Sequence, residues 1–506
     1  MSNIAKSALW VTVSEIIFNL SGYVIHSFVG RILGPADYGR YGLVVTLTTM
    51  VIILIGNGIP TAMSKYISEV FETNPGKVKT IKRQAIFLQS ALITVITIIF
   101  YFSTGLIARI LGDPSLVHLF KISTLIIPSF AAASFYFSYY TGLHKFNLQS
   151  ILKTLRSVLK VVTIVGFAYL YKVEGSITGY IAAPAILFLV GWLIDEFKVS
   201  KNLEEKAKSQ TETDISFDWR KLTNYAWQIV IFFLAYELLI SIDLYLVQGI
   251  LRDDYLTGIY NASLTVGRIP YYIFYALTII LLPVISKTTS ENNHAETNKI
   301  ISQSLRLMLI LLVPGVILMS VYSRPIIKIF YSAKYIDAAY PMSILAYGVG
   351  FLTIFYVMSF VMNGAGKTKI PMWISIFGVA LNTFLNYILI KKYSLAGSAI
   401  ATSFTSFVAM SLMLYYLYRD FGTLIKIKSV LKILFSGALM YAASLLFSRG
   451  EFIFLLWSLI LFGLYALALY MMGEIKKEDL IFLKNIVSRK KASEIKEALP
   501  GTEPSA

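Results

Sequence analysis

Cysteine is absent from all 506 residues, so disulfides and thiol chemistry are excluded. Charge is scarce as well. Asp, Glu, Lys and Arg together make up 14% of the chain, against roughly 25% in a soluble domain. Acidic residues are the scarcer sign, 28 against 45 Lys and Arg, for a formal charge of +17. Nucleic-acid binding would need that excess on one face of a soluble domain. Here it reads instead as anchoring to anionic lipid, and no nucleic acid is expected as a partner. The alternating strands of about ten residues that a closed barrel requires are missing too.

What fills the chain is apolar: 57% of residues are hydrophobic and the mean hydropathy is +0.69. Stretches of about 20 apolar residues, each able to cross about 30 Å at 1.5 Å per residue, recur almost from end to end. They run roughly over 8–30, 41–63, 84–107, 119–141, 157–171 and 176–194, then 225–250, 258–285, 306–323, 340–362, 371–390, 397–418, 430–447 and 452–472. The expected fold is an all-α polytopic membrane protein with about fourteen transmembrane helices. Most Lys and Arg fall on one side: the N-terminus, Lys77 to Arg83, Lys198 to Lys221 and the tail from Lys476. That asymmetry places both termini in the cytoplasm. The stretch after Lys6 contains Glu15 and reaches Arg31 without a small-residue cleavage site, so it reads as a first span rather than a cleaved signal.

Self-similarity recurs at one offset. Glu15 and Tyr23 reappear as Glu237 and Tyr245, and 237 minus 15 is 222. Ser64-Lys65 with Ser68-Glu69 reappears as Ser286-Lys287 with Ser290-Glu291, Gly142 and Lys145 as Gly364 and Lys367, and Gly175-Ser176 as Gly397-Ser398. Six spans are therefore duplicated. Six being even, both copies enter the membrane in the same direction, and a pseudo-two-fold axis along the membrane normal is expected. The expected layout is a first lobe at 1–195, a cytoplasmic linker at 196–222, a second lobe at 223–420, two extra spans within 421–475 and a basic cytoplasmic tail at 476–506. In the tail, Leu480, Leu483 and Ile486 between lysines suggest a surface-lying helix, followed by disorder from Pro500 to Ala506.

Two six-helix lobes, the fourteen-helix total, Leu33-Gly34-Pro35-Ala36-Asp37-Tyr38-Gly39 after the first span and Pro60 to Glu69 after the second resemble a prokaryotic polysaccharide flippase. The wider group is the multidrug, oligosaccharidyl-lipid and polysaccharide exporter superfamily, and the likeness covers nearly the whole chain. It implies that a polyprenyl-(pyro)phosphate-linked oligosaccharide crosses the cytoplasmic membrane by alternating access. A sodium ion or proton would be the coupling ion, with no tightly bound cofactor. Membrane lipids and glycosyltransferases of the same pathway would be the partners of a monomeric chain. A cation-coupled multidrug exporter of the same superfamily is the alternative reading, and a membrane enzyme of glycan assembly a further one. Against an enzyme, the longest outer connection, 324–339, has no His. Gly364-Ala365-Gly366-Lys367-Thr368 superficially suggests a nucleotide cradle, but the first Gly such a cradle needs is Val361.

An ionisable group at the bilayer centre costs about 2.5–3.5 kcal/mol, so Glu15, His26, Glu237, Asp243 and Arg268 need a reason to be there. Counted along their spans, Arg268 and Glu237 lie near the midplane, and Asp243 about 10 Å from the outer end. Asn382 and Asn386 form an i, i+4 pair on the eleventh span, and Ser398 and Thr402 a similar pair on the twelfth. One carboxylate with amide and hydroxyl oxygens is a hard ligand set suited to an alkali cation. The pattern also resembles the sodium site of lipid-linked-precursor flippases, with an Asp on the seventh helix, Asn-x-x-x-Asp on the eleventh and Thr on the twelfth. Here Asn386 replaces the second acid, so a proton on Asp243 could stand in for sodium. Ordinary interhelical hydrogen bonding is the competing account. Arg268 suits a bidentate grip on phosphate or, equally, a salt bridge to Asp243. Glu15 and Glu237 would gate or line the cavity. A uniform 222-residue offset sets Ser21 and Thr46 opposite Asp243 and Arg268, so coupling is expected in the second copy.

Overall fold

The computed structural model describes residues 3–56, 58–208, 216–422, 424–447, 450 and 453–475. The expected tail helix around Leu480 and the disorder near Pro500 lie outside the described residues. Among those described there is no strand. The helices are α1 (Asn3–Leu33), α2 (Pro35–Gly56), α3 (Ile59–Val70), α4 (Pro75–Ile110), α5 (Leu116–Ser123), α6 (Ile126–Gly142), α7 (Phe146–Ile194), α8 (Ser200–Lys208), α9 (Arg220–Leu251), α10 (Asp254–Gly267), α11 (Ile269–Ser290), α12 (His294–Val321), α13 (Ser323–Phe330), α14 (Ala339–Gly364), α15 (Lys369–Phe421), α16 (Ile427–Ser444) and α17 (Ile453–Met471). An all-helical answer follows from the solvent: hydrocarbon offers no partner for backbone N–H and C=O, and a helix satisfies both internally. Each of the fourteen apolar stretches falls on helix, and nine described helices are long and apolar enough to cross a membrane. The count of fourteen spans remains an expectation.

Three stretches expected to be continuous are interrupted. The second divides between α2 and α3 ahead of Pro60, the fourth between α5 and α6 ahead of Pro128, and the eighth between α10 and α11 at Arg268, ahead of Pro270. Proline has no N–H to continue the ladder, and its ring crowds the preceding turn. The connection at 324–339 is also structured, as α13 and a 3₁₀ turn at Ala333–Ala338. The linker is helical through Lys208, entered by a π-helical turn at Asp195–Val199, where Asp195 pairs with Lys82 and accepts from Ser200 Oγ at 3.1 Å.

Local backbone geometry supports the duplication. Within α7 the chain turns back at Lys172 (φ 53°, ψ −129°), and within α15 at Ser394 (φ 51°, ψ −134°). Their separation, 394 minus 172, is 222. The left-handed residues His144 and Gly366 are also 222 apart. Each reversal is followed by a glycine, because the two arms nearly touch: a Cβ on Gly175 would sit 2.6 Å from the Phe167 carbonyl carbon, and one on Gly397 3.0 Å from Ile390 N. The offset is not uniform, however. The left-handed turns closing α1 and α9 are at Gly34 and Arg252, and 252 minus 34 is 218. The N-caps Asn74 and Asn293 are 219 apart. Counted back from those turns along continuous helix, Asp243 matches Ile25 rather than Ser21, because an uninterrupted helix has no room for the four-residue difference.

By packing, the described chain forms two compact units, Ser7–Ala262 and Ser263–Ala506 together with Met1–Lys6. The lobe boundaries read from the repeat are a property of the sequence and stay an expectation. In the first unit α2 packs on α5, α6, α7 and α9, and α3 on α4, α6 and α9. Met63, Ile67, Tyr139, Tyr140 and Leu187 form one buried cluster there, with Tyr140 Oη donating to Gly191 O at 2.5 Å. In the second unit α14 is apolar on every side and packs on α11, α12, α13 and α15. α16 and α17 pack beside α12, and buried Glu474 accepts from Arg306, tying the end of α17 down.

Candidate functional site

The structure brings four of the expected ligands together. Asn382 and Asn386 on the first arm of α15, and Ser398 and Thr402 on the second, are all buried. Asn386 Nδ2 donates to Asn382 O (2.9 Å) and Oδ1 (2.7 Å), Ser398 Oγ donates to Asn386 Oδ1 (2.6 Å), and Thr402 Oγ1 to Asn382 Oδ1 (3.4 Å). These oxygens are already accepting hydrogen bonds, so a cation would have to rearrange them. As it stands, the cluster clamps the two arms of the hairpin together, worth roughly 0.6 kcal/mol per interhelical bond in a membrane.

Asp243 belongs to the first unit and is fully buried. One carboxylate oxygen accepts from Leu244 N at 2.9 Å and the other from Tyr260 Oη at 3.0 Å, joining α9 to α10. Glu237, a turn and a half earlier, is half-buried and accepts from Ser241 Oγ at 3.2 Å. The two acids therefore serve different surroundings. Glu15 is on α1, and its side chain lies outside the described residues. His26 is paired through Nδ1 with Tyr38 Oη at 2.8 Å. Arg268 is half-buried in the second unit at the α10/α11 interruption, its N–H on Leu264 O at 3.1 Å. Pro270 has no N–H to donate, which leaves a carbonyl of the preceding turn without its helical partner and makes this break a natural place for a polar contact.

Around the α1–α2 turn, chain segments far apart in sequence come together without side chains between them. A Cβ on Gly258 of α10 would lie 2.7 Å from the Pro35 carbonyl carbon and 3.0 Å from Gly39 N, and one on Gly39 of α2 would lie 2.8 Å from Gly258 N. A turn further on, a Cβ on Gly42 would meet Asn261 Cγ at 2.7 Å. Arg40 Nε donates to Asp254 Oδ2 at 2.6 Å and lies 3.8 Å from Asp113. Gln248 Nε2 donates to the other Asp254 oxygen at 3.0 Å, and Gln248 Oε1 accepts from Thr257 Oγ1 at 2.5 Å. The result is a close backbone seam latched by an ion pair.

Two further cations sit in the apolar interior of the first unit. Arg156 and Lys160, one turn apart on α7, are 6% and 9% exposed. The Arg156 guanidinium lies over Phe130 (4.1 Å), Phe18 (5.3 Å) and Phe137 (5.6 Å). The Lys160 ammonium lies over Tyr180 (4.7 Å) and Phe18 (5.4 Å) and donates weakly to Tyr180 Oη at 3.5 Å. No carboxylate among the described residues pairs with either, and Arg156 Nε is buried with no hydrogen-bond partner.

Comparison with known proteins places the chain. The profile of the family described as "Polysaccharide biosynthesis protein" matches residues 4–289, more than half of the sequence. The chain belongs to that family. A second profile, "Lipid II flippase MurJ", matches residues 256–467. The putative O-antigen transporter of Shigella flexneri is 23% identical over 436 residues, covering 82% of this chain and 98% of that protein. The structure of lipid II flippase MurJ in an inward closed conformation superposes with a TM-score of 0.74 at 18% identity, covering 94% of this chain and all of that one. A multidrug resistance MATE transporter in an inward-facing conformation superposes at 0.67 with 14% identity. At those identities the superpositions establish the fold alone. The chain is thus a helical membrane protein of the polysaccharide biosynthesis family, and the relatives it resembles are named as a transporter and as flippases.

Of the Lys and Arg residues, the sequence reading placed only Arg268 within the membrane and overlooked Arg156 and Lys160. The signal was present. Lys160 falls inside the 157–171 stretch, one turn from Arg156 and level with the middle of the Phe146–Tyr171 arm. The seam was less legible, since Gly39 and Gly258 carry no mark that pairs them.

Proposed function

We propose that this chain is a flippase that moves a polyprenyl-(pyro)phosphate-linked oligosaccharide across the cytoplasmic membrane by alternating access driven by an inward sodium or proton gradient. The seam of Gly39 and Gly42 against Gly258 and Asn261 carries the reading. Glycine lets backbone meet backbone there, and a close contact backed by the Arg40–Asp254 ion pair is suited to a gate that closes tightly. The α1–α2 turn lies on the face the basic residues assign to the outside, so the seam is the outer gate in its closed state. Family membership and relatives named for O-antigen transport and lipid II flipping support the substrate class. Within this scheme Asp243 takes up the coupling ion, and Arg268 contacts the diphosphate. Glu15 and Glu237 line the path. The chain acts as a monomer beside the glycosyltransferases that assemble its substrate.

The decisive assay reconstitutes the full chain in liposomes with a fluorescent lipid-linked oligosaccharide and follows its arrival in the other leaflet under sodium, proton or no gradient. Faster translocation under one inward gradient is expected. Equal rates with and without protein would refute the function, and gradient-independent transport would refute the coupling.

A further inference from the structure

Arg156 and Lys160 are an unusual pair to leave inside an apolar bundle. Arg156 is ten residues from Phe146 and fifteen from Tyr171, so it lies about 15 Å and about 22 Å from the two ends of that α7 arm. At i, i+4 the two cations share one face and repel each other. A structural arginine at such depth ordinarily meets a carboxylate, and here the facing groups are Phe18, Phe130, Phe137 and Tyr180. Aromatic faces partly compensate the charge, but they accept none of the directional N–H bonds of the guanidinium fork, and Arg156 Nε is left unmet. One ring occupies the central point: Phe18 of α1 lies 5.2 Å from Lys153 Nζ, 5.3 Å from Arg156 Cζ and 5.4 Å from Lys160 Nζ. A multiply charged oxyanion would gain most at that position, with Tyr180 Oη as a further donor.

We infer that Arg156 and Lys160, assisted by Lys153 and Tyr180, seat the diphosphate of the lipid-linked substrate, and that Phe18 occupies the seat until α1 withdraws it. The anion chemistry rests on the cluster itself, and its attachment to a lipid rests on the proposed function. Guanidinium and ammonium together match a diphosphate, since the fork grips two oxygens of one phosphate while the compact ammonium neutralises the next.

The test measures binding of polyprenyl diphosphate and, separately, inorganic pyrophosphate to the detergent-solubilised full chain by microscale thermophoresis, with melting temperature recorded for every variant. Arg156→Met and Lys160→Met keep apolar bulk and lose the charge, so folding is expected to survive, while polyprenyl diphosphate affinity falls at least tenfold. Arg156→Lys should lose less. Phe18→Leu should bind as tightly as the native chain or more tightly, an outcome that a purely structural cation–π cage does not produce. Native-like affinity in both Met variants overturns the assignment, as does failure of the native chain to bind. Equal affinity for inorganic pyrophosphate overturns the lipid source and leaves a free-anion site. If the native chain does not translocate lipid-linked oligosaccharide yet binds the prenyl diphosphate through Arg156, the proposed function falls and the seat stands.

Discussion

Replacing Gly258 with alanine tests the seam directly. The added Cβ would stand 2.7 Å from the Pro35 carbonyl carbon and 3.0 Å from Gly39 N, where nonpolar carbons settle at roughly 3.5–4.0 Å. Both neighbours are backbone, so no side chain can swing aside, and α2 and α10 must separate by about 1 Å. Overpacking of this kind costs about 1–3 kcal/mol, which at 1.36 kcal/mol per decade multiplies the open-to-closed ratio by about 5- to 150-fold. With no native cysteine to interfere, Asn261→Cys offers a single reporter packed under the seam at 5% exposure. A membrane-impermeant maleimide should label Asn261→Cys faster by that factor when Gly258→Ala is added, while the melting temperature shows whether the fold survives. Unchanged labelling with a native melting temperature would mean that the seam is not what closes this face.

Four further outcomes are expected. Arg40→Gln should raise labelling of the same reporter less than Gly258→Ala does, and less still at high salt, because Arg40 is 37% exposed and such pairs contribute about 0–1 kcal/mol. Asn386→Leu removes the acceptor of Ser398 Oγ and the shorter of the two donors to Asn382 Oδ1, and should lower unfolding stability by about 1–3 kcal/mol in a denaturant titration. Asp243→Asn should preserve expression and abolish the gradient dependence of liposome transport; retained dependence would move the coupling site elsewhere. Arg268→Ala should reduce transport at least tenfold with normal expression, and full activity would remove it from the substrate path.

Several turns of the argument were legible before any coordinates. Lys172 and Ser394 reverse their helices at positions the 222-residue repeat predicts, because a tight hairpin is encoded locally, by a left-handed residue and a glycine three positions later. The pairing of Asn382, Asn386, Ser398 and Thr402 was equally readable, since both pairs lie on arms of one hairpin. The prolines behind the interrupted spans were visible too, yet composition alone did not say that Pro270 would end a helix at Arg268.

The all-helical membrane class and the matching hairpins of the repeat were thus legible in the sequence itself. Hydropathy and helix formation act over about twenty residues, and lipid permits few alternatives to a helix. The tertiary structure alone decided which residues share an environment. It set Phe18 over Arg156 and Lys160, Arg40 on Asp254, and Gly39 against Gly258. It also removed the uniform offset between the turns at Gly34 and Arg252. Such contacts depend on how helices distant in the chain rotate and approach one another. A glycine, or a cation that answers to rings instead of to an acid, carries no local sign of its partner.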